Sequence, residues 1–160
     1  MTETLNKLIE ILKDLGPVIV AVVAICLTYR HHKHSKKIAN DRMMKELFGE
    51  FNKRYDVLNG YLEKITNHES MEYLMNDNPL EYHFLRNKLN DYFNLCAEEY
   101  YWYKNGRIDE DLWKSWEVGM NAWYDNYAII REAWKEEYES FGYQSFYLKK
   151  DEQFFKNFKK

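Results

Sequence analysis

Residues Leu15 to Tyr29 read LGPVIVAVVAICLTY, fifteen residues without a charge, and RHHKHSKK follows at once. An uncharged block of this kind needs an apolar surrounding. The rest of the chain is polar, with 31% charged residues overall, and offers no matching apolar partner for a buried core helix. Lipid is the simplest surrounding, so the block reads as a membrane anchor, with Leu15, Val18, Val20, Val23, Ile25 and Leu27 facing the acyl chains. Fifteen residues make about 22 Å of helix, whereas a bilayer core is about 30 Å thick. The helix is therefore expected to extend toward the N-terminus through Leu8, Ile9, Ile11 and Leu12, with Lys7 and Lys13 reaching back to the headgroups. Pro17 falls near the start of the run, where a missing N–H costs least. A cleaved signal peptide fits less well. The apolar stretch starts late, Glu3, Lys7, Glu10, Lys13 and Asp14 precede it, and no small-residue cleavage pattern follows.

The flanks orient the anchor. Lys7 and Lys13 precede it; Arg30, Lys33, Lys36, Lys37, Arg42 and Lys45 follow. The positive-inside bias puts the N-terminus outside and the C-terminal portion in the cytoplasm. Arg30, Lys33, Lys36 and Lys37 form a collar suited to anionic lipid headgroups. His31, His32 and His34 add positive charge as pH falls. Metal ligation is the weaker reading, because neighbouring residues on a helix point apart and a metal site needs ligands from more than one turn. Cys26 lies in the membrane block and Cys96 on an apolar helix face, so no disulfide is expected.

The whole chain has only two prolines and six glycines, and its body shows no sustained two-residue alternation, so the spacing is helical. Met44, Phe48, Phe51, Tyr55, Leu58, Leu62 and Ile65 alternate four and three apart, a heptad seam on a helix from about Ile38 to Thr66. The seam could dimerise the protein or pack against later helices. Packing within the chain is preferred, since Gly49 and Gly60 weaken an isolated helix and the seam carries Phe and Tyr. Asn67–Asn78 reads as a connection or a short helical excursion. Asn78 and Pro79 then open a helix carrying Leu85, Leu89, Phe93, Cys96, Tyr100 and Tyr103, which should stop at Asn105-Gly106. Asp109 caps a third helix with Leu112, Trp116, Met120, Trp123 and Tyr127, followed by a break near Asp125-Asn126 and a helix with Ile129, Ile130, Ala133 and Trp134. A last helical piece is expected over Lys149 to Phe158.

Aromatic residues concentrate late: eight Tyr, five Trp and two Phe lie between Tyr100 and Tyr147. Such rings fill cores, and they also serve interfaces and ligand clefts. Tyr100, Tyr101, Trp102 and Tyr103 are consecutive and cannot all face one core. With Trp113, Trp116 and Trp123 they are the candidate partner interface; Trp102, Trp113, Trp116 and Trp123 could alternatively line a lipid or small-molecule cleft. From Thr66 to Ser140 there are seven Lys and Arg against sixteen Asp and Glu, a net charge of minus nine, which argues against nucleic acid. Phe154, Phe155 and Phe158 with Lys156, Lys159 and Lys160 read as a second, peripheral membrane contact or a loose terminus.

Nothing in the sequence identifies an enzyme. No Glu-x-x-His pair, glycine-rich phosphate loop or nucleophile elbow occurs. Glu98 and Glu99 adjoin each other, so one is expected to face solvent, and His83 between Tyr82 and Phe84 reads as packing or surface. No cofactor and no metal ligand is assigned.

The segment LNDYFNLCAEEYYWYKNGRIDEDLWKSWEVGMNAWYDN (Leu89 to Asn126), with the apolar block and collar ahead of it, resembles a broad group of uncharacterised bacterial proteins. Those look like one membrane helix followed by a small cytoplasmic helical domain, with a basic-Asn-Gly turn, an Ile-Asp helix start and a second aromatic helix. The resemblance implies the bacterial inner membrane and carries no activity onto any residue.

The expectation is therefore an all-α chain: a single N-terminal transmembrane helix, then a small bundle of three or four main helices. Its parts are an anchor and collar over 1–37, a cytoplasmic domain over 38–148 and a basic-aromatic tail over 149–160. The expected function is that of a non-enzymatic accessory or scaffold protein that binds membrane lipid and another protein, or a second copy of itself through the heptad seam.

Overall fold

The computed structural model describes residues 2–156. Among these, every regular element is helical: α1 (Thr2–Thr66), α2 (Met71–Asp77), α3 (Pro79–Lys104), α4 (Glu110–Asn126), α5 (Ala128–Phe141) and a 3-10 turn over Tyr143–Phe146. The chain divides into two compact units, Met1–Met43 and Met44–Lys160.

The first unit is helical throughout its described length. Its sequence makes one helix among the described residues long and apolar enough to cross a membrane, and none of its most apolar window is buried. Val18, Ile19, Val20, Val22, Val23, Ile25 and Leu27 are each 50–68% exposed. Pro17 departs from expectation. Because α1 begins at Thr2, the proline is interior and removes one backbone hydrogen bond from the ladder. Farther along, the Thr28 hydroxyl donates to the Ala24 carbonyl at 2.8 Å.

In the second unit, local chemistry sets the helix ends. The Ser70 hydroxyl accepts from Tyr73 N–H (3.1 Å), starting α2. Asn78 Oδ1 accepts from Glu81 N–H (3.2 Å) with Pro79 in the first turn of α3. Gly106, at φ +68°, takes the left-handed conformation after α3 that other residues adopt poorly. Asp109 Oδ1 accepts from Leu112 N–H (2.9 Å), and Glu110 and Asp111 complement the first turn of α4. The chain turns sharply at Tyr127 between α4 and α5, and the Arg131 guanidinium donates to the carbonyls of Tyr124 and Asp125 left open by the end of α4.

Packing centres on Trp134 of α5, which has no exposed surface. The rings of Phe93, Phe146, Phe154 and Phe155 stand 4.8–5.3 Å from it. Two of those four belong to the basic-aromatic tail. Phe154 and Phe155 are 2% and 1% exposed, so these two rings join the core and are not offered to a membrane. Nor is the tail helical as far as residue 156. Long-range polar contacts overrule the local pattern. Glu152 accepts from Lys149 N–H (2.6 Å), Tyr100 Oη (3.0 Å) and Lys104 Nζ (3.0 Å), and Asn121 Oδ1 accepts from Lys156 N–H (2.9 Å). Phe158, Lys159 and Lys160 lie outside the described residues.

The heptad seam is spent inside the same unit. Phe51, Leu58, Leu62 and Ile65 are buried, Met44 and Tyr55 are half-buried, and Phe48 is exposed. Removing a buried aromatic ring typically costs about 3–5 kcal/mol, and an exposed side chain away from special features about 0.5 kcal/mol or less. Phe155→Ala should therefore lower the denaturation midpoint about as strongly as Trp134→Ala, while Tyr147→Ala leaves it nearly unchanged. Chemical denaturation of the full chain in mild detergent checks this, and a neutral Phe155→Ala would remove the tail from the core.

Candidate functional site

Helical spacing brings three faces together. Asn52 and Tyr55 of α1, Tyr92, Leu95, Cys96 and Glu99 of α3, and Ser115, Trp116, Gly119 and Met120 of α4 line a cavity of about 130 Å³. The α3 members recur at three and four residues, as do those of α4, so each set occupies one stripe of its helix. Ser115 is exposed, and Asn52, Trp116 and Gly119 are half-buried, so the cavity reaches the surface along that side.

Most polar atoms around it are committed. The Tyr92 hydroxyl donates to the Met120 carbonyl at 3.1 Å, with the Cys96 thiol close beside it. Trp123 Nε1 donates to the Tyr55 hydroxyl at 2.8 Å. Arg54 grips Glu98 with two nitrogens, at 2.5 and 3.1 Å. That bidentate pairing occupies the nearest cation. Glu99, one residue on, is 6% exposed, and among the described residues no hydrogen bond reaches its carboxyl.

The electrostatics follow. Burial pushes the Glu99 carboxyl up from the usual value near 4.5 to about 8, against the pull of Arg54 and with a further push from Glu98. Burial also pushes the Cys96 thiol and the Tyr92 hydroxyl well above their ordinary values, with the Glu99 charge adding to both. At neutral pH the cavity thus holds a protonated carboxyl, an un-ionised thiol and un-ionised phenols. Neither nucleophile is activated.

The sequence-derived residues are placed as follows. The anchor residues Leu15, Val18, Val20, Val23, Ile25 and Leu27 and the collar residues Arg30, Lys33, Lys36 and Lys37 are all exposed. The seven aromatic residues do not form one surface. Trp113 is 4% exposed and stacks on Tyr103 (4.7 Å), which makes it a core ring and removes it from the partner interface. Tyr100 packs on Trp113 and Phe154 and donates to Glu152. Trp116 meets Phe51 edge-on at 5.6 Å and Phe48 at 6.2 Å. Tyr101 is the exposed member, touching Trp102 (6.1 Å) and Tyr147 (5.3 Å). Of the four tryptophans read as a cleft, only Trp116 lines this cavity. Glu99 was the residue missed as an interior group. Its spacing of seven from Tyr92, four from Leu95 and three from Cys96 carried the signal.

Comparison with protein-family models, with curated proteins and with solved structures finds no match.

The raised Glu99 value has a signed consequence. The folded chain holds this proton up to about pH 8, whereas the unfolded chain releases it near 4.5. The group favours folding most below pH 4.5; its contribution falls as pH rises through that interval and is gone above about 8. Glu99→Gln keeps a neutral side chain of the same shape and should stabilise the domain by roughly 3–5 kcal/mol at pH 8, with little effect at pH 4.5. Urea unfolding of both proteins across this range measures the difference. Parallel pH profiles would mean that Glu99 is ionised at neutrality.

Proposed function

We propose that the protein is a membrane-anchored accessory or scaffold protein without catalysis of its own, whose second unit binds another protein. One observation carries the reading. The helix bearing Leu15–Tyr29 leaves large aliphatic side chains bare, whereas the second unit encloses its own core of rings. Lipid is the surrounding that removes such a band from water. The six basic residues after the block, against two before it, support an orientation with the N-terminus outside and the second unit in the cytoplasm. The compartment we propose is the bacterial inner membrane. For the partner surface, the exposed pair Tyr101 and Tyr147, whose rings stand 5.3 Å apart, replaces the wider aromatic set, since both stay outside the domain core.

The reading predicts that the protein stays with membranes through alkaline carbonate washing. It also predicts a stoichiometric partner in crosslinked native membranes. Tyr101→Glu, at an exposed position, should cut recovery of that partner at least tenfold while shifting the unfolding midpoint by about 0.5 kcal/mol or less. Release by carbonate would remove the anchor. Unchanged assembly of every membrane complex in cells lacking the protein would remove the accessory role.

A further inference from the structure

The geometry points to a binding site for a small organic ammonium ion in the cavity between α1, α3 and α4, with the Glu99 carboxylate as counter-ion and the rings of Tyr55, Tyr92 and Trp116 as walls. Glu99 is singled out by contrast with the other glutamate buried in this unit. Glu137 is equally enclosed, at 6% exposed, but accepts from Arg86 at 2.7 Å. A glutamate that serves only the fold has a cation or several N–H donors, as Glu137 and Glu152 do. Glu99 lines a space instead, with its nearest arginine already bound to Glu98.

The lining selects the ligand's charge. Among the described residues lining the cavity none is Lys, Arg or His, so a carboxylate or phosphate ligand would meet Glu99 without a balancing charge. An ammonium ion would meet one carboxylate acceptor among electron-rich rings, surroundings that attract cations. Size sets the class. A cavity of about 150 Å³ holds benzene; this one is smaller, about 130 Å³, but open along the Ser115 side, so it admits an ammonium group on a short alkyl chain, or on a single ring that stays partly in the opening. Gly119 lines the space, and a Cβ built there meets no atom within 4 Å, so a larger side chain can be introduced at this position.

Binding is linked to a proton. Glu99 must ionise to pair with the cation, and it holds its proton up to about pH 8. The ionisable groups around it are Arg54 and Tyr55 from α1 and Tyr92, Cys96 and Glu98 from α3, while α4 contributes none to the lining. Arg54 stays cationic, and Tyr55, Tyr92 and Cys96 are all pushed up by burial, so below pH 8 Glu99 is the group that changes. Affinity should then rise by up to tenfold per pH unit as that pH is approached from below.

The test is calorimetric titration of the full chain in a maltoside detergent, which carries no amine, with benzylamine as probe and benzyl alcohol as its neutral counterpart. The expected result at pH 8 is saturable benzylamine binding, at least tenfold tighter than benzyl alcohol and at least tenfold weakened by Glu99→Gln. The same affinity should fall at least tenfold at pH 6. Gly119→Leu, which fills the cavity and leaves Glu99 in place, should abolish binding while its thermal midpoint shows the fold intact. Equal affinity for the alcohol, indifference to Glu99→Gln, or no saturation by benzylamine would each overturn the proposal.

Discussion

The second unit depends on the enclosure of Trp134. It is the largest side chain with no exposed surface, and the rings that seal it come from α3, from the 3-10 turn and from the final segment. A small domain buries a smaller share of its chain than a large one. This one compensates with side chains that each remove a large area from water. Its closure therefore depends on residues late in the chain. Tyr124 stacked on Phe155 at 4.4 Å extends the same cluster to α4. The polar tethers at Glu152 and Asn121 hold the backbone that delivers Phe154 and Phe155, so charge at the surface and rings in the interior act on one segment.

Filling a small core with planar rings also shapes what is left over. Rings pack edge-to-face or offset and do not interdigitate as aliphatic chains do. Around Trp116, an edge contact to Phe51 and a glycine one turn away at position 119 leave a space that no ring fills. Into that space the α3 stripe sends a carboxyl. A buried carboxyl without a partner is tolerated only when it keeps its proton, and Glu99 does so at neutral pH. The cavity and the perturbed carboxyl are thus two results of one packing arrangement.

What was legible in the sequence was local. The caps at Asn78 and Asp109, the proline opening α3 and the glycine after it rest on residues within one turn of each other, and the structure has each of them; the break expected near Asp125-Asn126 falls at Tyr127. The heptad stripe was legible as apolar, and its burial from Phe51 to Ile65 required partners from elsewhere in the chain. Phe154-Phe155 was misread as a surface pair because its setting is basic and polar. Its burial is decided by Lys104, Tyr100 and Asn121, between 35 and 52 residues away. The anchor helix, expected to reach back through Leu12 to Leu8, continues to Thr2, which makes Pro17 an interior residue.

Glu98 and Glu99 show where such reading stops. They are adjacent, identical in chemistry and on the same helix, so composition cannot separate them. Their fates differ by about 100° of helical rotation. Tyr92, Leu95 and Cys96 set that rotation by facing the interior, which turns Glu99 inward and leaves Glu98 at the rim. Arg54 then meets the rim residue and pairs with it. Had the helix been set one residue differently, the arginine would neutralise the inner carboxyl and the cavity would hold a completed ion pair. The arrangement leaves the charge at the rim balanced and the inner carboxyl beside open space without a cation. An unsatisfied interior acceptor beside open space is the condition under which a ligand, and not another side chain, completes the packing.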